Sequence, residues 1–130
     1  MSLVFDTSIL IALERKEEQI IAKLEKLSET YMLTPYTTFL NLFEFLFGIK
    51  SKPPKNAKEA VAFVRRFDIL NTTDKTPDLL ADLKFKYDRK GMVLPFADLI
   101  IAALVIENEM VLVTKDRDFG KIEELNKEIV

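Results

Sequence analysis

The sequence predicts an α/β fold in which a mostly parallel sheet is covered by helices on both faces. Short apolar strands, clearest at Leu3-Val4-Phe5 and Val111-Leu112-Val113, alternate with longer segments whose apolar residues recur at helical spacing. Strands that read as continuous apolar runs are those buried on two sides, as in parallel sheets. No internal repeat, low-complexity tract or long linker divides the 130 residues, so residues 1–130 are expected to form a single domain.

Leu3-Val4-Phe5 stops at Asp6-Thr7-Ser8, three residues suited to capping a helix, and Ile9, Leu10, Ala12 and Leu13 continue into a short one. Ile20, Ile21, Leu24 and Leu27 define a second helix from about Glu17 to Leu27. Tyr31-Met32-Leu33 predicts a strand closed by Thr34-Pro35, and a strongly apolar helix follows from about Thr37 to Ile49. Pro53-Pro54 breaks the chain before an amphipathic helix, about Asn56 to Phe67. Asp68-Ile69-Leu70 is a third strand, and Pro77 to Lys90 a long helix ended by Gly91. Pro95 opens the next helix, which runs to about Glu107. Val111-Leu112-Val113 precedes a helical turn around Asp118 to Glu124 and a last strand at Glu128-Ile129-Val130.

Composition narrows the chemistry. Cysteine and histidine are both absent, which excludes a thiol nucleophile, a disulfide framework, a Cys/His zinc site and a Ser-His-Asp triad. Any catalysis must rest on carboxylates and oxygen ligands. The 19 basic and 21 acidic residues leave a net charge of −2, so nucleic acid would have to be met by a local basic patch. Leu99 to Ile106, the longest apolar stretch, is too short to cross a bilayer. With no secretory h-region and no cysteine, a cytoplasmic protein without membrane association is expected.

Most of the acids stand beside Lys or Arg on solvated faces. Four have surroundings or positions that point further. Glu44 sits within Phe39-Leu40-Asn41-Leu42-Phe43-Glu44-Phe45-Leu46-Phe47, where an unpaired buried charge would cost several kcal/mol. Asp98 lies in Leu94-Pro95-Phe96-Ala97-Asp98-Leu99-Ile100-Ile101, and Asp6 and Asp116 each follow an apolar strand. Taken singly, each has an ordinary account: Glu44 reaching solvent or a lysine, Asp98 favoured by the helix dipole, Asp6 and Asp116 as caps or turn residues. Taken together, they would converge beyond the carboxyl ends of the strands, where open α/β sheets bind ligands. Carboxylates so gathered repel one another, and a divalent cation resolves the repulsion. An all-oxygen set suits Mg²⁺ or Mn²⁺ better than Zn²⁺.

The same segments resemble a known family. Val4-Phe5-Asp6-Thr7-Ser8-Ile9-Leu10-Ile11 is similar to the first acidic motif of PIN domains, specifically the VapC-like toxin ribonucleases of toxin–antitoxin pairs. Thr38 to Gly48, with Glu44 four residues before Gly48, resembles the second motif, and Asp98-Leu99-Ile100-Ile101-Ala102-Ala103 the third. Leu112-Val113-Thr114-Lys115-Asp116-Arg117-Asp118-Phe119 resembles the last. The motifs occur in the family's order and span essentially the whole chain.

The resemblance implies a PIN-like three-layer sandwich and a Mg²⁺- or Mn²⁺-dependent ribonuclease. Its catalytic and metal-holding cluster would be Asp6, Glu44, Asp98 and Asp116. Asp118 is a secondary candidate in the last motif, and Thr7, Ser8 and Thr114 are candidates for orienting the carboxylates. The implied products are a 5′-phosphate and a 3′-hydroxyl. Lys50, Lys52, Lys55, Lys115, Arg117 and Lys121 lie near the motifs in sequence, either to position RNA or simply as solvated charges. The Phe39, Phe43 and Phe47 stripe lies on a helix apolar nearly all round, so it is either wholly buried in the monomer or covered in part by another chain. The resemblance implies a homodimer and an inhibiting antitoxin as partners. Three other readings remain: a housekeeping PIN nuclease in RNA processing, a Mg²⁺-binding phosphoacceptor receiver domain, and a catalytically silent scaffold that only binds a partner, which the intact four-acid set disfavours. Glu44 and Asp98 on helices argue against the second.

Overall fold

The computed structural model describes residues 1–130, apart from the side chain of Leu33. Five strands, β1 (Ser2–Phe5), β2 (Met32–Thr38), β3 (Asp68–Leu70), β4 (Val111–Thr114) and β5 (Lys127–Ile129), pair in the order β3-β2-β1-β4-β5. Every pairing is parallel. Helices α1 (Thr7–Glu14), α2 (Glu18–Leu27), α3 (Phe39–Ser51), α4 (Ala57–Val64), α5 (Thr76–Arg89) and α6 (Phe96–Glu107) connect them, and a short 3-10 helix covers Arg117–Lys121.

Period-two alternation in the central strands builds two cores. Leu3 and Phe5 of β1 and Val111 and Val113 of β4 face Ile9, Leu10, Ile20, Leu24, Phe45 and Val64, contributed by α1 to α4. Val4 and Leu112 point the other way, against Leu83 and Tyr87 of α5 and Leu99, Ala102 and Val105 of α6. The chain steps outward from β1 to β2 to β3, then crosses back to β4 on the far side of β1. Right-handed crossovers in opposite directions put the two sets of helices on opposite faces. The result is the three-layer arrangement expected from the sequence.

Several boundaries differ from expectation, among them the end of α4, which stops at Val64 and not near Phe67. Thr34-Pro35 does not close β2, which continues to Thr38. Ser2 pairs with Met32 but Val4 with Tyr36, so the register slips in the segment that holds Pro35, and pairing with β3 begins only at Tyr36. A proline without an N–H is tolerated at such an irregularity. The last helical turn is also shorter than expected, ending at Lys121.

At the end of α5, Gly91 adopts φ +70°, with its N–H on the Asp88 carbonyl and the Met92 N–H on that of Tyr87. That pair of bonds terminates a helix in a left-handed residue, which glycine adopts without steric penalty. Among the described residues, no helix is long and apolar enough to cross a membrane.

The α3 helix is not enclosed by this chain. Asn41 and Phe45 are buried, yet Phe43 and Phe47 are 56% and 59% exposed and stack on each other, ring centroids 5.9 Å apart. Complete burial within the monomer is therefore excluded.

Candidate functional site

The strand order reverses its direction of growth between β1 and β4. At such a switch point the connections leave on opposite faces and open a crevice at the carboxyl ends of the strands. Asp6 stands directly after β1 and Asp116 two residues after β4. A cavity of about 170 Å³ lies there, lined by Asp6, Thr7, Ser8, Asn41, Glu44, Asp98, Ile101, Asp116 and Phe119. All four main acidic candidates thus line one cavity.

Asp6 is the most enclosed of them, 5% exposed. As the N-cap of α1 it accepts from the Ile9 N–H at 3.3 Å. Its Oδ1 also accepts from the Ser8 hydroxyl and its Oδ2 from the Thr114 hydroxyl, each at 2.5 Å. Burial pushes its carboxyl above the ordinary value, and these hydrogen bonds offset only part of that. The two hydroxyls also tie the acidic segments together. Ser8 Oγ accepts from the Lys115 N–H at 3.0 Å, and Thr114 Oγ1 accepts from the Asp116 N–H at 2.9 Å. Thr114 is fully buried, so its hydroxyl is a fixed post between Asp6 and the Asp116 turn.

Asp98 occupies the first turn of α6, half-buried. Its carboxyl is pushed up to about 6, first by burial and then by the negative charges of Asp116, Asp118, Glu44 and Asp6. Oxygens of Asp98, Asp116 and Asp118 lie within 4.8 Å of one another. Asp116 caps the 3-10 helix, accepting from the Asp118 N–H at 2.9 Å, and that turn brings Asp118 beside Asp98. Asp118, the secondary candidate, thus belongs to the same close group as Asp98 and Asp116. At the rim, Lys121 Nζ lies 3.3 Å from Asp118 Oδ1. Among the described residues no ion pair reaches Asp6, Glu44, Asp98 or Asp116.

Glu44 approaches from the opposite side of the cavity, on α3. The Thr7 hydroxyl donates to its Oε1 at 2.7 Å. Asn41, 1% exposed, sits one turn earlier on the same helix; its Nδ2 lies 2.9 Å from Thr7 Oγ1 and 3.4 Å from Glu44 Oε1. Sequence reasoning passed over Asn41. The signal was present: a polar residue in an apolar helix, three positions before an acid and so on the same face.

Of the basic residues near the motifs, Lys115 pairs with Glu17 at 3.4 Å and Lys121 with Asp118, both exposed. Lys52 lines a groove of about 190 Å³ beside Glu44, with Ile11, Arg15, Phe45 and Ile49.

The donor set is suited to a hard divalent ion. It is entirely oxygen, it lines one cavity from four separate segments, and burial together with the neighbouring negative charges holds the Asp98 carboxyl well above its ordinary range.

The PIN domain family profile matches residues 3–125. The chain belongs to the PIN domain family. Solved structures similar to it include toxin–antitoxin complexes of the VapBC type. VapBC2 from Rickettsia felis, bound to a DNA fragment from its promoter, superposes with a TM-score of 0.82 at 23% identity, covering 100% of this chain and 99% of that one. VapBC-1 from nontypeable Haemophilus influenzae gives 0.80 at 19% identity, with 99% and 98% covered. VapC20 from Mycobacterium tuberculosis, described as a toxin that cleaves the sarcin-ricin loop, gives 0.64 at 17% identity, with 95% and 98% covered. No curated protein is similar enough in sequence to count as a match. The receiver-domain reading falls with this assignment, and the strand order agrees, since receiver domains use 2-1-3-4-5.

Proposed function

We propose that this PIN domain is a divalent-metal-dependent endoribonuclease, the toxin of a VapBC-type pair, with residues 1–130 acting as one nuclease domain. One observation carries the reading: acids from four segments line a single cavity at the switch point, with Asp98, Asp116 and Asp118 in mutual contact range and Asp98 held up to about 6.

Asp6, Glu44, Asp98 and Asp116 would hold Mg²⁺ or Mn²⁺, with Asp118 as a further ligand. When bound, such an ion neutralises phosphate charge and acidifies a water for attack. The protein's own residues supply position and polarity. Asp6, fixed by Ser8, Thr114 and the Ile9 amide, keeps the ends of β1 and β4 in register. Thr7 directs the Glu44 carboxylate. An ionised carboxylate at the cavity accepts the proton released as water adds to phosphorus. The P–O3′ bond breaks, its electron pair leaves with the 3′-oxygen, which takes a proton from solvent, and the products are a 5′-phosphate and a 3′-hydroxyl.

The acidic cavity repels an RNA backbone unless basic groups approach it. Lys52, Arg117 and Lys115 are suitably close in the chain and exposed. For the protein partners, the stacked Phe43–Phe47 pair and the adjoining groove suit an apolar segment of an antitoxin or a second copy of this chain.

The test is cleavage of RNA by purified protein in Mn²⁺, Mg²⁺ or EDTA. Cleavage with either ion, lost in EDTA and reduced by orders of magnitude in Asp98→Asn, is expected. RNA cleavage that survives EDTA and Asp98→Asn together would overturn the reading.

A further inference from the structure

We propose that Asn41 is a positioning residue that acts through Thr7 to aim the Glu44 carboxylate, an inference that rests on the metal-dependent reading above. Asn41 is 1% exposed and every polar atom of its side chain is used. The Thr38 hydroxyl donates to its Oδ1 at 2.7 Å, while Thr38 Oγ1 accepts from the Asn41 N–H at 3.1 Å as the cap of α3. The amide oxygen is thereby turned toward the start of the helix and the NH₂ group toward the cavity.

The direction of the chain then follows from proton counting. Asn41 Nδ2 donates to Thr7 Oγ1 at 2.9 Å, so the single Thr7 proton goes on to Glu44 Oε1 at 2.7 Å. The same NH₂ lies 3.4 Å from that oxygen, a longer contact with the second amide hydrogen. A reversed amide would set its oxygen against Oε1, two acceptors facing each other with no proton between them. Both donors therefore hold Oε1, and among the described residues no hydrogen bond engages Oε2. Glu44 is gripped by one oxygen, and the other is left without a hydrogen bond on a side chain that lines the cavity. Without the amide, Thr7 can rotate its hydroxyl toward a backbone carbonyl or solvent, and the carboxylate loses its fixed orientation. Groups that orient a ligand in this way contribute roughly 10–100-fold to metal affinity or activity.

The experiment measures Mn²⁺ binding to the purified protein without RNA, by electron paramagnetic resonance of free Mn²⁺, beside the Mn²⁺ dependence of RNA cleavage. Asn41→Leu and Thr7→Val should each weaken Mn²⁺ binding by about 10-fold or more. The Mn²⁺ concentration for half-maximal cleavage should rise in parallel, with a smaller change in kcat at saturating ion. Thr7→Ser, which keeps the hydroxyl, should bind Mn²⁺ as the wild type does. The double variant should be no worse than the weaker single one, because both changes break one chain. A purely structural role would lower the melting temperature and leave the Mn²⁺ affinity of the folded protein unchanged. If Asn41→Leu does not fold, Thr7→Val against Thr7→Ser decides, since Thr7 is only partly buried. Thr7→Val within about twofold of the wild type overturns the proposal. A wild type that binds no Mn²⁺ and cleaves no RNA overturns the metal reading, and this proposal with it.

Discussion

Asp98→Asn should stabilise the metal-free protein at neutral pH, and the size of the effect follows from the surroundings of Asp98. In the folded chain its carboxyl stands at about 6 against an ordinary value of 3.8, because burial and then Asp116, Asp118, Glu44 and Asp6 disfavour its charge. A pKa raised on folding means that the stability linked to this proton is complete below about pH 3.8 and is lost as the pH rises through about 6. The displacement corresponds to about 3 kcal/mol at roughly 1.4 kcal/mol per pH unit. Asp98 is partly open to solvent, and screening reduces this to about 1–2 kcal/mol.

Against it stands the favourable placement of a negative charge in the first turn of α6, worth about 0.3–1 kcal/mol, which asparagine forfeits. The combined cost of burial and repulsion is the larger quantity. In EDTA at pH 7.5 the variant should therefore melt higher by roughly 2–4 °C, a gain of about 1 kcal/mol in a chain of this size. At pH 4, where Asp98 is largely protonated in the folded protein, the difference should vanish. In saturating Mn²⁺ the order should reverse, because the wild type gains an ion that the variant holds less well. Differential scanning calorimetry under these three conditions is the assay. Asp98→Asn melting below the wild type in EDTA at pH 7.5 would refute the reasoning and leave Asp98 a helix-dipole residue.

Other perturbations separate the parts of the site. Mn²⁺ at about one hundred times its Kd should stabilise the wild type by about 2.7 kcal/mol, read as a shift in a thermal melt; no shift would count against tight binding. Thr114→Val removes a donor to Asp6 and an acceptor for the Asp116 N–H, and should cost about 1–3 kcal/mol in a urea titration while lowering cleavage. Asp118→Asn should lower RNA cleavage by about tenfold or more if Asp118 shares the ion with Asp98 and Asp116; wild-type cleavage would remove it from the set. Phe43→Ser together with Phe47→Ser should leave the melting temperature of the isolated chain within a few degrees, since both rings are exposed, while shifting the mass measured by light scattering toward the monomer.

Much of this molecule is local in origin and so legible in the residues. The alternation of Leu3, Val4 and Phe5, and of Val111, Leu112 and Val113, sets which side chains enter which core, whatever the rest of the chain does. The absence of His and Cys limits any chemistry to oxygen ligands, and Asp6 directly after one apolar run and Asp116 shortly after another had to fall near strand ends. Glu44 and Asp98 stand out as acids set in apolar helices, and the ordered family motifs agree with them.

Tertiary structure decided the rest, for reasons no local pattern contains. Pro35 reads as a stop, yet β2 passes it, because a register slip against β1 removes the need for its missing N–H. The apolar surface of α3 reads the same all round; only the placement of α1 and α4 buries Phe45 and leaves Phe43 and Phe47 facing outward. Asp118 reads as a second choice to Asp116 until the 3-10 turn folds it back beside Asp98. Asn41 reads as an interruption of an apolar helix. Its partner Thr7 is thirty-four residues away in sequence, and only the packing of α1 on α3 brings the amide to that hydroxyl. Residue type and period act over a turn or a strand, whereas a hydrogen-bond partner is chosen by how whole elements dock.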